Sequence, residues 1–337
     1  MFSFAIGVGT KDSAGNWLEV FYPNPALNPD AGSLAPALAA LGYAGGNSAI
    51  EPDQEQLARF LESCPDALVD GLDQLASSNS PVVAVVLETD DKPASVPEGY
   101  LKLHLLSHRL VKPHGLNLDG LFAVLPNVAW TSHGAIAIDE LEERQLQTRL
   151  TGETIDVQSV DKFPKMTNYV VPKGVRIADT SRVRLGAYIG EGTTIMHEGF
   201  VNFNAGTAGT AMIEGRISAG VFVGNNSDLG GGCSIMGTLS GGGKEVISVG
   251  EDCLIGANAG LGFPLGDRCT IEAGLYVSAG SKVTVMDSEL NPVEVVKARE
   301  LSNKSDLLFI RNSTTGVVEC RTNKSTVELN AELHSHN

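Results

Sequence analysis

Aliphatic residues recur at every sixth position through the middle of this 337-residue chain, and few folds accept that period. Val183, Ile189, Ile195 and Val201 form the first run, and Ile217, Val223, Leu229 and Ile235 the second. Val249, Ile255 and Leu261 follow, then Leu265, Ile271, Val277 and Val283. Glycine often comes next, as at Gly190, Gly224, Gly230, Gly250, Gly256, Gly262 and Gly266. Of the 38 glycines, 23 lie between Gly186 and Gly280, so the enrichment belongs to one segment. A six-residue period suits neither an amphipathic helix nor an ordinary strand. It suits a coil with three short strands per turn, in which aliphatic side chains point inward and glycines ease the corners. The expected fold is therefore mainly β: a left-handed parallel β-helix of hexapeptide repeats.

The flanks read differently, and three domains are expected. Residues 1–155 form an N-terminal α/β domain, 156–286 the β-helix, and 287–337 a small C-terminal β-hairpin domain. In the first, segments 4–8 and 17–22 flank a hairpin turn at 12–16. Leu57, Phe60, Leu61 and Cys64 have helical spacing after Pro52-Asp53. Residues 82–87 read as a buried strand, 100–111 as a helix, 121–130 as extended, and 139–150 as a polar helix. Within the coil, the aliphatic register is lost around 205–213, and Ser240-Gly241-Gly242-Gly243-Lys244-Glu245 interrupts it with a loop. Excursions from a solenoid cluster on one face and commonly build its binding site. Beyond the coil, 292–299 reads as a connecting or helical piece, and 307–311 with 317–321 as a hairpin.

Several functional classes are excluded by composition. The formal charge of −16 argues against nucleic acid or an anionic membrane as partner. The N-terminus has no signal-peptide pattern, and no apolar run reaches spanning length. Five scattered cysteines without CxxC spacing suit free thiols in a reducing cytosol, so a cytoplasmic protein is expected. An anionic substrate would need local cations against the acidic total.

Known enzymes with such prisms form trimers whose active sites lie between neighbours, and most transfer acyl groups from thioesters; that step rests on fold analogy. A zinc-dependent hydratase would need an imidazole cluster in the coil, where only His197 lies. His104 and His108 have metal-pair spacing on a helix but no third ligand, which favours a structural or solvated helix face. The 241–244 run fails the phosphate-loop spacing, since Thr238 stands where the first glycine belongs and Glu245 follows the lysine.

Four motifs narrow the class: Met196-His197-Glu198-Gly199-Phe200-Val201-Asn202, Glu214-Gly215-Arg216-Ile217-Ser218-Ala219-Gly220, Ile235-Met236-Gly237-Thr238-Leu239-Ser240-Gly241-Gly242-Gly243, and Val296-Lys297-Ala298-Arg299-Glu300-Leu301. Together they closely resemble the tetrahydrodipicolinate N-succinyltransferases, in their longer form. The resemblance spans essentially the whole chain and is densest from 175 to 308. It implies transfer of a succinyl group from succinyl-CoA, as co-substrate, to the amine derived from tetrahydrodipicolinate, in lysine and diaminopimelate biosynthesis. It also implies a homotrimer and makes Glu198 the catalytic carboxylate, proposed in that family to form an acyl anhydride. No essential metal is implied, although a trimer axis could hold a divalent ion.

The chemistry of the residues agrees with that assignment without choosing the substrate. Aminolysis of a thioester needs a deprotonated amine near the carbonyl and donors for the developing oxyanion. Carboxylates on both substrates call for cations, for which Arg184, Arg216, Lys282, Lys297 and Arg299 are candidates. Arg184 and Asn202 are expected to bind the acceptor. Gly215, Arg216, Ser218, Gly241, Gly256, Ala257, Lys297 and Arg299 are expected along the succinyl-CoA channel. Structural alternatives stand beside them: Arg216 on a solvated edge, Asn202 with Asn204 in an asparagine ladder, Lys297 and Arg299 paired with Glu294 or Glu300, and Glu198 bridging to Arg184 or Arg216. Two other functions remain open from the residues alone: a CoA-dependent acyltransferase using His197 as base, and a non-catalytic scaffold.

Overall fold

A computed structural model describes residues 1–65, 72–237 and 245–322. The chain divides into two compact units. One comprises Met1–Val111, Gly115–Pro164 and Asn168–Val170; the other comprises Lys112–His114, Lys165–Thr167 and Val171–Asn337.

In the first unit, Ser3–Lys11 pairs antiparallel with both Trp17–Phe21 and Val82–Leu87, and Ser48–Ile50 closes the far edge. Helices Ala31–Ala40 and Gln54–Ser63 cover one face, burying Leu34, Leu38, Leu57 and Phe60 against Phe4, Ile6 and Val86. Asp53 and Gln56 cap the second helix reciprocally, satisfying two otherwise orphaned N–H groups. The expected helix at 100–111 runs instead over Val96–Ser107, since Ser95 caps it and Pro97 suits its first turn.

The stretch 121–130 is not uniformly extended. Leu121–Val124 is a helical turn, and only Val128–Thr131 is a strand. Short apolar runs do not declare their type by period alone, and packing decides here. Gly99 leaves room for Leu121, whose Cδ1 would lie 2.9 Å from a Cβ at that glycine. Val128–Thr131 joins Gly134–Ala137 and Val157–Asp161 in a three-stranded sheet, with helix Leu141–Leu150 following.

The second unit is a parallel β-helix whose strands stack in three columns. Ile189, Thr207, Val223 and Val249 are in register in the first column. Ile177, Ile195, Ile213, Leu229, Ile255, Ile271 and Phe309 follow one another in the second. Val201, Ile217, Ile235, Leu261 and Val277 fill the third. Nearly all of these side chains are fully buried, so one inward residue per strand builds a continuous apolar core.

The register break expected around 205–213 lies elsewhere. Residues 207 and 213 keep the six-residue step, but Thr207 replaces the aliphatic residue and hides it. Thr207 is tolerated because its hydroxyl meets Gly190 N–H at 3.1 Å and Thr193 Oγ1 at 2.8 Å. The true irregularity is the short corner Glu214-Gly215-Arg216 between Ile213 and Ile217. A longer excursion follows Ile235. Val223 pairs with Val249, 26 positions on, where Thr207 pairs with Val223 only 16 on. Residues 292–299 are neither helix nor plain connection: Pro292–Lys297 is a strand antiparallel to Lys282–Met286, followed by the turn Ala298–Leu301. Leu307–Arg311 and Val318–Thr322 pair as a hairpin, whose first strand continues the second column.

Candidate active site

Glu198 stands at the corner between the second and third columns, where the chain turns from Thr193–Ile195 into Phe200–Val201. Its carboxylate is exposed and forms no ion pair among the described residues, so the alternative of a bridge to Arg184 or Arg216 is not seen within the chain. Its backbone is held instead by Arg182 from the coil below: Nη2 donates to Glu198 O at 2.9 Å and Nε to Gly199 O at 3.1 Å. A guanidinium presents its N–H groups in a rigid fork, which suits two neighbouring carbonyls. Arg182 was not singled out from sequence. The available signal was its place one coil before the Glu198–Gly199 turn.

Successive coils repeat this corner, and the residues above Glu198 shape the space around it. Glu214 lies one coil up and Gly231 two. A Cβ at Gly231 would lie 3.4 Å from Glu214 Oε2 and 3.8 Å from Glu198 Oε2. The missing side chain therefore leaves a gap onto which two carboxylates converge. Gly215 and Gly256 belong to the same stack and answer a packing need. A Cβ at Gly215 would meet Cys233 Sγ at 2.3 Å, and one at Gly256 would meet Ala273 N at 2.4 Å. The N–H of Gly256 donates to Ile271 O at 2.8 Å and is thus engaged in coil pairing. Ala257 beside it is exposed.

The outward face of the third column runs on from Glu198. Residues alternate in and out along a strand, so Phe200 and Asn202 face away from buried Val201, as Arg216 and Ser218 do around Ile217. Phe200 is in register with Arg216. Arg184 reaches this face from below: Nη1 donates to Asn202 Oδ1 at 3.1 Å, and the guanidinium carbon lies 5.8 Å from the Phe200 ring centroid. The alternative of an asparagine ladder is not formed. Asn202 also accepts from Phe203 N–H at 2.9 Å, while Asn204 takes a left-handed corner at φ 51° and accepts from His114 N–H. Ser218 Oγ donates to Ile235 O at 2.6 Å. Arg216 is exposed and makes no ion pair among the described residues. Gly241 lies outside the described residues.

A second cationic group sits where the coil ends. Lys282 and Lys297 are directly opposed in the antiparallel pair, and Arg299 follows in the next turn; all three are exposed. Like charges facing each other across a ladder are unfavourable unless an anion joins them. The alternative pairing of Lys297 and Arg299 with Glu294 or Glu300 through side chains is not seen among the described residues. Glu300 accepts only the Lys297 backbone N–H, at 3.1 Å. Arg299 Nε donates to Ala279 O at 3.4 Å.

His104 of the first unit is structural. The carbonyl of Tyr100 lies 2.8 Å from His104 Nδ1, so Nδ1 carries the proton, and Nε2 accepts from Tyr22 N–H at 3.2 Å. Both ring nitrogens of His104 are used, and no group of three or more potential metal ligands exists among the described residues. All five cysteines are buried and unpaired. No described helix is long and apolar enough to cross a membrane.

A parallel coil of hexapeptide repeats, with a carboxylate, two arginines and small corner residues along one outer face, defines a β-helix acyltransferase. The family model for the hexapeptide repeat of succinyl-transferase matches residues 246–279, and that for the middle region of tetrahydrodipicolinate N-succinyltransferase matches 125–165. A Pseudomonas putida protein named 2,3,4,5-tetrahydropyridine-2,6-dicarboxylate N-succinyltransferase is 63% identical over 100% of this chain and 99% of its own length. A Vibrio cholerae protein of the same name is 58% identical over the same shares. A solved Campylobacter jejuni chain assigned as a 2,3,4,5-tetrahydropyridine-2-carboxylate N-succinyltransferase superposes with a TM-score of 0.89 at 33% identity, covering 96% of this chain and 93% of its own. The chain belongs to the tetrahydrodipicolinate N-succinyltransferase family.

Proposed function

We propose that the protein transfers the succinyl group of succinyl-CoA to tetrahydrodipicolinate, within lysine and diaminopimelate biosynthesis. Water opens the cyclic imine to the amino ketone, and the amine attacks the thioester carbonyl. A C–N bond forms, the C–S bond breaks, and the products are N-succinyl-2-amino-6-oxopimelate and CoA. The full-length likeness to relatives of that name supplies the substrate. The observation that carries the mechanism is Glu198, a carboxylate without an ion pair among the described residues, on a corner whose backbone Arg182 clamps.

On this reading Glu198 accepts the proton of the attacking amine or carries the succinyl group as an anhydride. Arg184 and Asn202 bind the acceptor's carboxylates, while Arg216 and Ser218 face the succinyl end. Gly215, Gly241, Gly256 and Ala257 line the thioester channel, with the Gly256 N–H unable to serve as an oxyanion donor. Lys297 and Arg299, with Lys282, receive the anionic end of CoA. The prism is left-handed, the chain works as a trimer, and the parts 1–155, 156–286 and 287–337 act as N-terminal, catalytic and C-terminal domains. Exposed Val293 and Val295, each 63% accessible on one strand, support assembly.

Thiol release from succinyl-CoA or acetyl-CoA, with and without tetrahydrodipicolinate, tests the function. Acceptor-dependent release with preference for succinyl-CoA is expected, and equal efficiency with both donors would count against it. A stable, fully active monomer in light scattering would refute the trimer.

A further inference from the structure

Glu19, on strand Trp17–Phe21 of the first unit, is a carboxylate with no counter-charge among the described residues. Its side chain points away from the core that Leu18 and Val20 enter. Thr10 Oγ1 donates to Oε1 at 2.7 Å and Tyr169 OH to Oε2 at 3.1 Å. Both donors are neutral, and no lysine, arginine or histidine pairs with Glu19 among the described residues. Burial holds its carboxyl group above the usual range, opposed by those two hydrogen bonds.

The carboxylate borders a cavity of about 180 Å³ whose walls include Phe21, Trp130, Gln158, Asn168 and Tyr169. Trp130 is fixed by its Nε1–H, which donates to Asp161 O at 2.9 Å, and Phe21 and Tyr169 lie 6.4 Å apart, centroid to centroid. A poorly solvated carboxylate that lacks a cation is an incomplete ion pair. Aromatic faces around it attract positive charge. At about 30 Å³ per water-sized group, the space holds roughly six heavy atoms.

We propose that this cavity binds the ammonium end of a small organic cation, with Glu19 as its counter-ion and the rings of Trp130, Phe21 and Tyr169 as its walls. A neutral ligand would leave the charge uncompensated, and a metal ion would find one carboxylate where it needs several oxygen ligands. A built-in cation is the usual partner of a half-buried carboxylate; here the partner comes from solution.

Titration of the full-length protein with n-butylammonium chloride, followed by calorimetry and saturation-transfer NMR, tests the site. Saturable binding is expected for n-butylammonium and none for n-butanol. Glu19→Gln keeps the size and one of the two acceptor oxygens but removes the charge. It should weaken binding at least about tenfold, the order of one charge-assisted hydrogen bond. Gln158→Trp, at the exposed rim, should block binding with Glu19 intact, and so keeps the test informative if Glu19→Gln does not fold. Absence of saturable binding to the wild type, equal binding by Glu19→Gln, or equal binding of n-butanol would overturn the proposal.

Discussion

Arg184 Nη1 donates to Asn202 Oδ1 across 3.1 Å, so two successive coils are joined through side chains on the outer face as well as through the backbone. Two residues expected separately at the acceptor site are thus one unit. Asn202→Leu should raise KM for tetrahydrodipicolinate by about tenfold while leaving KM for succinyl-CoA unchanged, as expected when one hydrogen bond to a charged group is lost. Asn202→Asp, which keeps an acceptor for Arg184 but loses the amide donor and adds a charge like that of the substrate's carboxylates, should not recover the loss. Equal effects on both KM values would show general damage to the face instead.

Glu198→Gln preserves shape but removes both the base and the nucleophile. Turnover should fall at least about a hundredfold, the scale of acid–base catalysis, with assembly and succinyl-CoA binding unchanged. Trapping of a succinylated enzyme in the wild type but not in the variant, read by mass spectrometry, would assign the covalent route. Near-normal turnover would remove Glu198 from the mechanism.

The opposed Lys282 and Lys297, with Arg299, predict a separable donor effect. Converting Lys297 and Arg299 to Gln should raise KM for succinyl-CoA about tenfold with little change in kcat, and should flatten its salt dependence. Thermal stability should hold or rise, because a like-charge repulsion is relieved. A fall in stability would mean that the cations support the fold.

Corner glycines differ in what they require. Gly256→Ala places a Cβ 2.4 Å from the backbone nitrogen of Ala273, which the coil pairing keeps from moving. A loss of about 1–3 kcal/mol is expected, the range for overpacking, measured as a lower urea midpoint. Gly280→Ala meets nothing within 4 Å and should be nearly neutral in the same assay.

His104 predicts a pH dependence of stability. Burial pushes its pKa down from 6.5 to about 3. Above pH 6.5 the ring is neutral folded or unfolded, and nothing changes. Below it, the unfolded chain gains a proton that the folded ring refuses. Stability therefore falls by roughly 1.4 kcal/mol per pH unit until about pH 3. Between pH 7 and pH 5, the wild type should lose about 2 kcal/mol more than His104→Gln, compared by denaturant unfolding. Equal losses would show that His104 does not couple to folding.

The coil was legible because its rule is local. One inward residue per six, with glycine at many corners, recurs through most of the stretch from Val183 to Val283, and the motif around Glu198 carried the family. The sequence could not show Thr207 as a core position, since only the hydroxyls of Thr193 and Thr207, brought together by stacking, make a buried threonine acceptable. Nor could it show that Arg182 rather than Arg184 clamps the Glu198 turn, or that Gly231 opens a gap between Glu198 and Glu214. Those relations join residues 14 to 33 positions apart, one or two coils along the stack. Periodicity determined that the chain coils and which side chains face inward. The number of residues spent at each corner sets which outward side chains become neighbours, and that spacing is resolved only when the coils pack.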